Sequence, residues 1–349
     1  MAKRLITITM HNSKLRILIL RPDRLGDVVL STPLPREIKK KYPNAFIAVL
    51  VRNYTKDIYT NNPFVDEILI EEELGNSFWQ RVKRIRSFRF THGVALLPTE
   101  KNNWLLFFSG IKMRIGVGHK FYQFLSNAKS IYRRKYIPLR NEADYCLDAL
   151  RKIGIENPDT AVSIYLSDEE KKRALEIRES FSTDKKIFVG IHATSGKSAP
   201  NLSLKEYLKL AELLVLQKDI QVFITEKEIP DELKNIEGVS YYFENLSLRD
   251  SIIAFSVLDV LISASTGPMH IAAALKVKTL SVFCPLPACE PKLWGPQGNE
   301  AYFVMPDENY CGKVCSGDPQ TCMFEGDGGI NAEKIVSRLK KIFPSDEKN

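Results

Sequence analysis

Short, nearly unbroken apolar runs alternate along this chain with longer segments whose apolar residues recur every three or four positions. LRILIL (15–20), AFIAVLV (45–51), VDEILI (65–70) and GVALLP (93–98) belong to the first kind and predict buried strands of a parallel sheet. Between them, DVVLSTPLPREIKKKYP (27–43) predicts a helix interrupted early by proline, and a later segment sets Phe78, Trp79, Val82, Ile85 and Phe88 on one helical face. WLLFFSGI (104–111) and RIGVG (114–118) continue the pattern. After the helical DYCLDALRKIGI (144–155) and the polar stretch 156–170, the alternation restarts. KIFVGIHA (186–193), QVFITE (221–226), GVSYYFE (238–244), DVLISAS (259–265) and TLSVFCP (279–285) read as strands. LKEYLKLAELLVLQ (204–217) and LRDSIIAFSVL (248–258) read as helices.

The fold class expected is therefore α/β, with two Rossmann-like doubly wound domains facing across a cleft. Residues 1–165 form one domain and 166–330 the other, while the amphipathic AEKIVSRLKKIF within 331–349 packs back across the junction. A length of 349 residues fits two cores better than one. No apolar run nears the roughly 20 residues that cross a bilayer, and MAKRLITITMHNSK lacks the pattern of a cleaved signal, so the expected location is cytoplasmic.

Charge changes the picture by its distribution. The formal +8 divides into +13 for residues 1–165 and −5 for 166–349. Such asymmetry serves nucleic acid, an anionic membrane face or a polyanionic substrate, and charge alone does not choose. No recognition helix or aromatic–basic repeat supports nucleic acid. Of six cysteines, Cys146, Cys284 and Cys289 sit in or near apolar stretches, and Cys311, Cys315 and Cys322 match no strong zinc spacing. They are expected to bind no metal.

Chemistry concentrates where strands end. RPDRLGDVVLSTP (21–33) crowds Arg21, Asp23, Arg24 and Asp27 around Gly26 in one strand-to-helix turn, an expensive arrangement unless something charged or reactive meets it. In SASTGPMHIAAALKV (263–277) a strand runs into Ser265, Thr266 and Gly267, and a helix starts near Pro268. Its free amides, its dipole and the two hydroxyls form a phosphate cradle, with His270 one helical step further on. HATSGKSAPN (192–201) presents Thr194, Ser195, Gly196 and Lys197 at the same sheet edge, suited to a diphosphate. Neither GxxxxGK[ST] nor GxGxxG is present, so neither a Walker loop nor a dinucleotide fingerprint is read.

Taken in order, RPDRLGDVVLSTPLPREIKKKYP, RIGVG, HATSGKSAPN, STGPMHIAAAL and LWGP closely resemble the ADP-heptose:lipopolysaccharide heptosyltransferases, glycosyltransferase family 9. That resemblance implies a GT-B fold and transfer with inversion, with no metal and no cofactor beyond an ADP-sugar co-substrate. It also implies a donor site on the second domain and an acceptor site, for a saccharide of lipid A or the inner core, on the first. Asp27 matches the family's general base, with Asp23 as the rival. Thr194, Ser195, Ser265, Thr266 and Gly267 match phosphate-binding positions, joined as donor residues by Gly196, Lys197 and His270. Thr225 and Glu226 would lie near the ribose, and Leu246 and Leu248 near the adenine. The chain departs from the pattern at Ser265, where some members carry Asp, and at Leu202, which replaces a Trp preceded by Lys.

Arg24, Arg84, Arg114, Arg133 and Arg134 are the expected acceptor contacts, within a basic surface drawn to an anionic leaflet. The other readings are the same fold using another nucleotide sugar, and a catalytically silent glycan- or sugar-nucleotide-binding protein.

Overall fold

The computed structural model describes residues 15–132, 137–181, 186–314 and 317–344. Its first half runs β1 (Arg16–Leu20), α1 (Leu25–Leu30), α2 (Pro33–Lys41), β2 (Phe46–Val51), β3 (Glu67–Ile70), α3 (Phe78–Ser87), β4 (His92–Ala95), α4 (Glu100–Phe108), β5 (Met113–Val117), α5 (Phe121–Leu125), β6 (Lys129–Ile131) and α6 (Glu142–Arg151). The second half runs α7 (Asp168–Glu179), β7 (Ile187–His192), α8 (Leu204–Val215), β8 (Ile220–Ile224), β9 (Val239–Ser240), α9 (Leu248–Phe255), β10 (Val260–Ala264), α10 (Gly267–Ala274), β11 (Lys278–Val282), α11 (Pro291–Trp294), β12 (Ala301–Val304), α12 (Tyr310–Lys313) and α13 (Ala332–Ile342).

Both sheets are parallel and six-stranded, ordered β3-β2-β1-β4-β5-β6 and β12-β11-β10-β7-β8-β9. Counted from each half's first strand the two orders are identical. In each the order reverses beside that strand, between β1 and β4 and between β7 and β10. Chain leaving the carboxyl ends of strands at such a reversal opens a crevice for a ligand. Arg21–Asp27 follows β1, Ala193–Ser198 follows β7, and Ser265–Gly267 follows β10. Topology alone thus gathers the three segments that carry the chemistry.

The halves are joined by packing. One apolar cluster includes Ile17, Val28, Leu34 and Leu147 from the first half with Ile253, Ile271 and Ala273 from the second. The extended segment around 159–164 is wedged between them: Arg36 donates to the carbonyls of Asp159 and Ala161, and the Ile164 N–H donates to the carbonyl of Ala274.

The final helix departs from expectation. α13 lies on α8 within the second half, where Ile335 and Leu339 share an apolar cluster with Tyr207 and Leu210. Lys209 pairs with Glu333 at 2.5 Å and Glu206 accepts the N–H of Ala332 at 2.9 Å. Its apolar stripe covers the outer face of its own domain, so nothing is left for it to bury at the junction.

Candidate active site

The turn after β1 resolves its own crowded charges. Arg21, only 4% exposed, donates from Nη2 to Asp27 Oδ1 at 2.8 Å and from Nε to the Asp27 carbonyl at 3.2 Å. Its guanidinium also stands 3.6 Å from Glu142 at the start of α6 and 3.9 Å from Asp23. Asp27 is therefore held by the side chain six residues before it, in one orientation. Burial pushes its carboxyl up to about 6, against the pull of Arg21, with Asp23 and Glu142 adding to the rise. A carboxyl in that range is ionised at neutral pH and still accepts a proton readily. The rival Asp23 accepts the main-chain N–H of Arg24 at 2.8 Å and stands outside the cavity that Asp27 lines.

Across the cleft, the loop after β7 is tied down from beneath. Buried Glu226 accepts the main-chain N–H groups of Ala193 and Thr194. Thr225 Oγ1 meets His192 Nδ1 at 3.0 Å, and Asn201, held by Tyr207, donates to the Ala193 carbonyl at 2.6 Å. Within the loop Ser198 Oγ donates to the Ser195 carbonyl at 2.7 Å and Ser195 Oγ to the Ala199 carbonyl at 3.2 Å. These bonds fix the main-chain path and leave the loop against the cavity.

α10 supplies the other wall. Thr266 at its N-cap makes no side-chain capping bond, so the amides of the first turn stay uncommitted by their neighbour's hydroxyl. His270 is buried, and burial lowers its imidazole to about 4, which makes it neutral at physiological pH. Two residues that line the cavity, Thr266 and His270, each keep a buried polar atom without a partner, Oγ1 and Nδ1, and Glu226 Oε2 beneath the loop is a third. Buried polar atoms are seldom left so.

The halves approach closely at α1 and α10. A Cβ on Gly26 would lie 3.0 Å from His270 Cδ2, and one on Gly267 would lie 3.0 Å from Leu25 Cδ2. Glycine at 26 serves this contact between lobes, since its main chain is not among the left-handed positions that require glycine. Together the walls enclose a cavity of about 510 Å³. The first half lines it with Arg24, Leu25, Gly26 and Asp27; the loop after β7 adds Thr194, Ser195, Gly196 and Ser198; α10 and its approach add Ser265, Thr266, Gly267 and His270.

Several expected residues fall elsewhere. Lys197, in a left-handed conformation at φ 59°, is exposed and does not line the cavity, leaving Arg24 as its lysine or arginine among the described residues. Thr225 and Glu226 act from below the loop. Leu246 and Leu248 pack against the apolar core. Arg84 is exposed on α3 beside Phe88, and Arg114 spends its guanidinium on the carbonyls of Ser126 and Ile111. Arg133 and Arg134, like Cys315, lie outside the described residues.

Other residues join the site without having been singled out. Trp294 of the LWGP stretch forms a wall with Ala288, whose carbonyl accepts its indole N–H at 2.9 Å, and with Cys289. Among the described residues, no group of three or more His, Cys, Asp or Glu is arranged to hold a metal ion.

Two facing doubly wound lobes, with a carboxylate on one and a hydroxyl- and amide-lined pocket on the other, give the chain the GT-B fold. The glycosyltransferase family 9 (heptosyltransferase) model matches residues 79–320. The chain belongs to that family. A Haemophilus influenzae protein named only as a glycosyltransferase is 28% identical over 298 residues, 80% of this chain and 86% of the relative. Lipooligosaccharide heptosyltransferase 2 of the same organism is 24% identical across 94% of this chain and 99% of its own. The structure of the Escherichia coli ADP-heptose LPS heptosyltransferase II superposes with a TM-score of 0.73 at 17% identity, covering 94% of this chain and 98% of the other.

Proposed function

We propose that this glycosyltransferase moves heptose from ADP-heptose to an inner-core saccharide of a lipid A-bearing acceptor, with inversion and without a metal ion. The observation that carries the reading is the placement of Asp27 in one cavity with the Thr194–Ser198 loop and the amino end of α10. The acceptor hydroxyl attacks the anomeric carbon from the Asp27 side and its proton passes to the carboxylate. The bond from that carbon to the diphosphate oxygen breaks, and ADP leaves with the electron pair. Main-chain amides of both loops, the hydroxyls of Ser265 and Thr266 and the dipole of α10 stabilise the departing charge, which is the work a metal would otherwise do. Neutral His270 lines the cavity on α10 and adds no charge of its own there.

Relatives named as lipopolysaccharide or lipooligosaccharide heptosyltransferases support heptose as the sugar moved and a lipopolysaccharide-type molecule as the acceptor. The basic first half supports an acceptor presented at an anionic leaflet, on the cytoplasmic face of the inner membrane. Incubating the purified protein with a panel of ADP- and UDP-sugars and truncated core acceptors, read by mass spectrometry, tests the reading. A heptose-sized mass added only with ADP-heptose is expected, unchanged by a chelator. Transfer from a UDP-sugar alone, or hydrolysis with no transfer, would replace it.

A further inference from the structure

The apolar face of α3 is not uniformly covered: Val82 and Ile85 are buried while Trp79 is 63% exposed. Trp79 belongs to a chain of touching rings: Phe78, Trp79 and Phe108 lie within 5.2–6.0 Å of one another, and Trp104 and Phe107 extend the group at 5.2–5.8 Å. Phe78, Trp104 and Phe108 line an open, mainly apolar hollow with Glu100 and Lys101 at its edge. Next to α4, α5 turns Phe121 (75% exposed) and Phe124 (80% exposed) to solvent, and is anchored there by the Tyr122 hydroxyl on the Pro98 carbonyl and by Asn103 on the Tyr122 carbonyl.

Charge frames the same face. Between Leu74 and Ser130 the chain carries ten lysines and arginines and one acid, Glu100, which accepts the Trp104 indole N–H at 3.0 Å. Just before that span Glu71 pairs with Lys101 at 2.7 Å and Arg81 at 3.3 Å, while Glu72 and Glu73 are exposed. Lys83, Arg84, Arg86, Lys112 and Lys120 are all exposed. Protruding Trp and Phe side chains ringed by cations are what partitions into the headgroup region of an anionic bilayer, the rings entering the interface and the cations meeting lipid phosphates.

We propose that the face built from α3, α4 and α5 docks this enzyme on an anionic lipid bilayer. The proposal rests on the reading that the acceptor is membrane-borne, and it names the surface that meets the membrane. α5 follows the carboxyl end of β5, the sheet edge from which Asp27 is also delivered, so docking there brings the cleft to the side where the acceptor's sugars emerge.

The test is co-sedimentation of the full chain with phosphatidylglycerol-containing vesicles and with pure phosphatidylcholine vesicles, at low and high salt. A parallel assay measures transfer to a water-soluble, delipidated acceptor. Binding to the anionic vesicles, weakened by salt, is expected. Trp79→Ser/Phe124→Ser and Lys83→Glu/Lys112→Glu should each weaken it on the order of tenfold. Both variants should melt as the wild type does and transfer to the soluble acceptor at its rate, since every altered side chain is exposed. Variants that bind vesicles as well as the wild type would overturn the surface. A wild type that ignores anionic vesicles while transferring normally would overturn the docking and leave the chemistry standing, whereas failure to transfer to any acceptor would strike the chemistry alone. Vesicle binding that requires acceptor lipid in the bilayer would give the hollow to an acyl chain, and a dimer that the aromatic variant dissociates would give the face to a second copy. Either outcome would overturn the proposal.

Discussion

Replacing Arg21 by Met removes the cation that holds Asp27 while keeping much of its length. Asp27 sits at about 6, the balance of burial pushing it up and Arg21, 2.8 Å away, pulling it down. A single opposite charge at such range lowers a carboxyl by ~1–3 pH units. Its removal therefore carries the Asp27 pKa to between ~7 and ~9. A general base works ionised, so kcat/KM in the wild type rises with pH and reaches half its plateau near the Asp27 value. At pH ~7 roughly nine tenths of the wild-type base is ionised; in the variant the fraction falls to between about one half and about one hundredth. The expected loss at neutral pH is ~2- to ~100-fold, and raising the pH to ~9 recovers half or more of the wild-type plateau.

The assay is continuous measurement of ADP release against pH, with Arg21→Lys, which keeps the charge, as the control whose acid limb stays near the wild-type position. Breaking a buried pair also costs stability, ~3–5 kcal/mol, so melting is followed at each pH. A folded Arg21→Met protein whose deficit is the same at every pH, or an acid limb that does not move, would refute the assignment of that limb to Asp27.

Glu226→Ala leaves the buried N–H of Ala193 without its acceptor, at ~1–3 kcal/mol, and that of part-buried Thr194 at less. Donor KM should rise on the order of tenfold with a smaller change in kcat, read from steady-state kinetics; an unchanged KM would show that the loop holds without it. Gly26→Ala forces a Cβ to 3.0 Å from the His270 ring, an overpacking cost of about 1–3 kcal/mol that urea unfolding should register, together with weaker ADP binding. Unaltered stability would mean that the lobes separate freely at this contact. Lys197→Ala should change donor KM by less than ~3-fold, since its side chain stands outside the cavity and a lost charge–phosphate contact costs more. A loss of ~10-fold or more would return the phosphate role to it.

The alternation of buried strands and helices made five strands of each sheet legible from sequence, because strands covered on both faces are apolar throughout; the edge strands β6 and β12, short and only partly covered, were missed. Asp27, the 194–198 loop and the 265–270 segment were legible for a related reason: polar and glycine residues at the ends of such strands stand out. What escaped depends on partners that local pattern does not name. α7 buries little besides Ile177 and reads as a polar stretch, although Ser167 and Glu170 form a capping box at its start. The stripe of α13 announces a helix but not which surface it covers. Trp79 shares its helical face with Val82 and Ile85, yet one turn earlier there is no core left to receive it. Lys197 has the right type and loop, and only the left-handed turn of the main chain sends its side chain elsewhere.

The central claim is that Asp27 takes the acceptor's proton while the opposite lobe holds the diphosphate. Single-turnover transfer by Asp27→Asn, paired with calorimetric titration of ADP into the same protein, separates those two roles. Transfer should fall by ~10²–10⁴-fold with ADP affinity within about threefold of the wild type. Transfer at near the wild-type rate would contradict the account, and so would a loss that follows ADP affinity in equal measure.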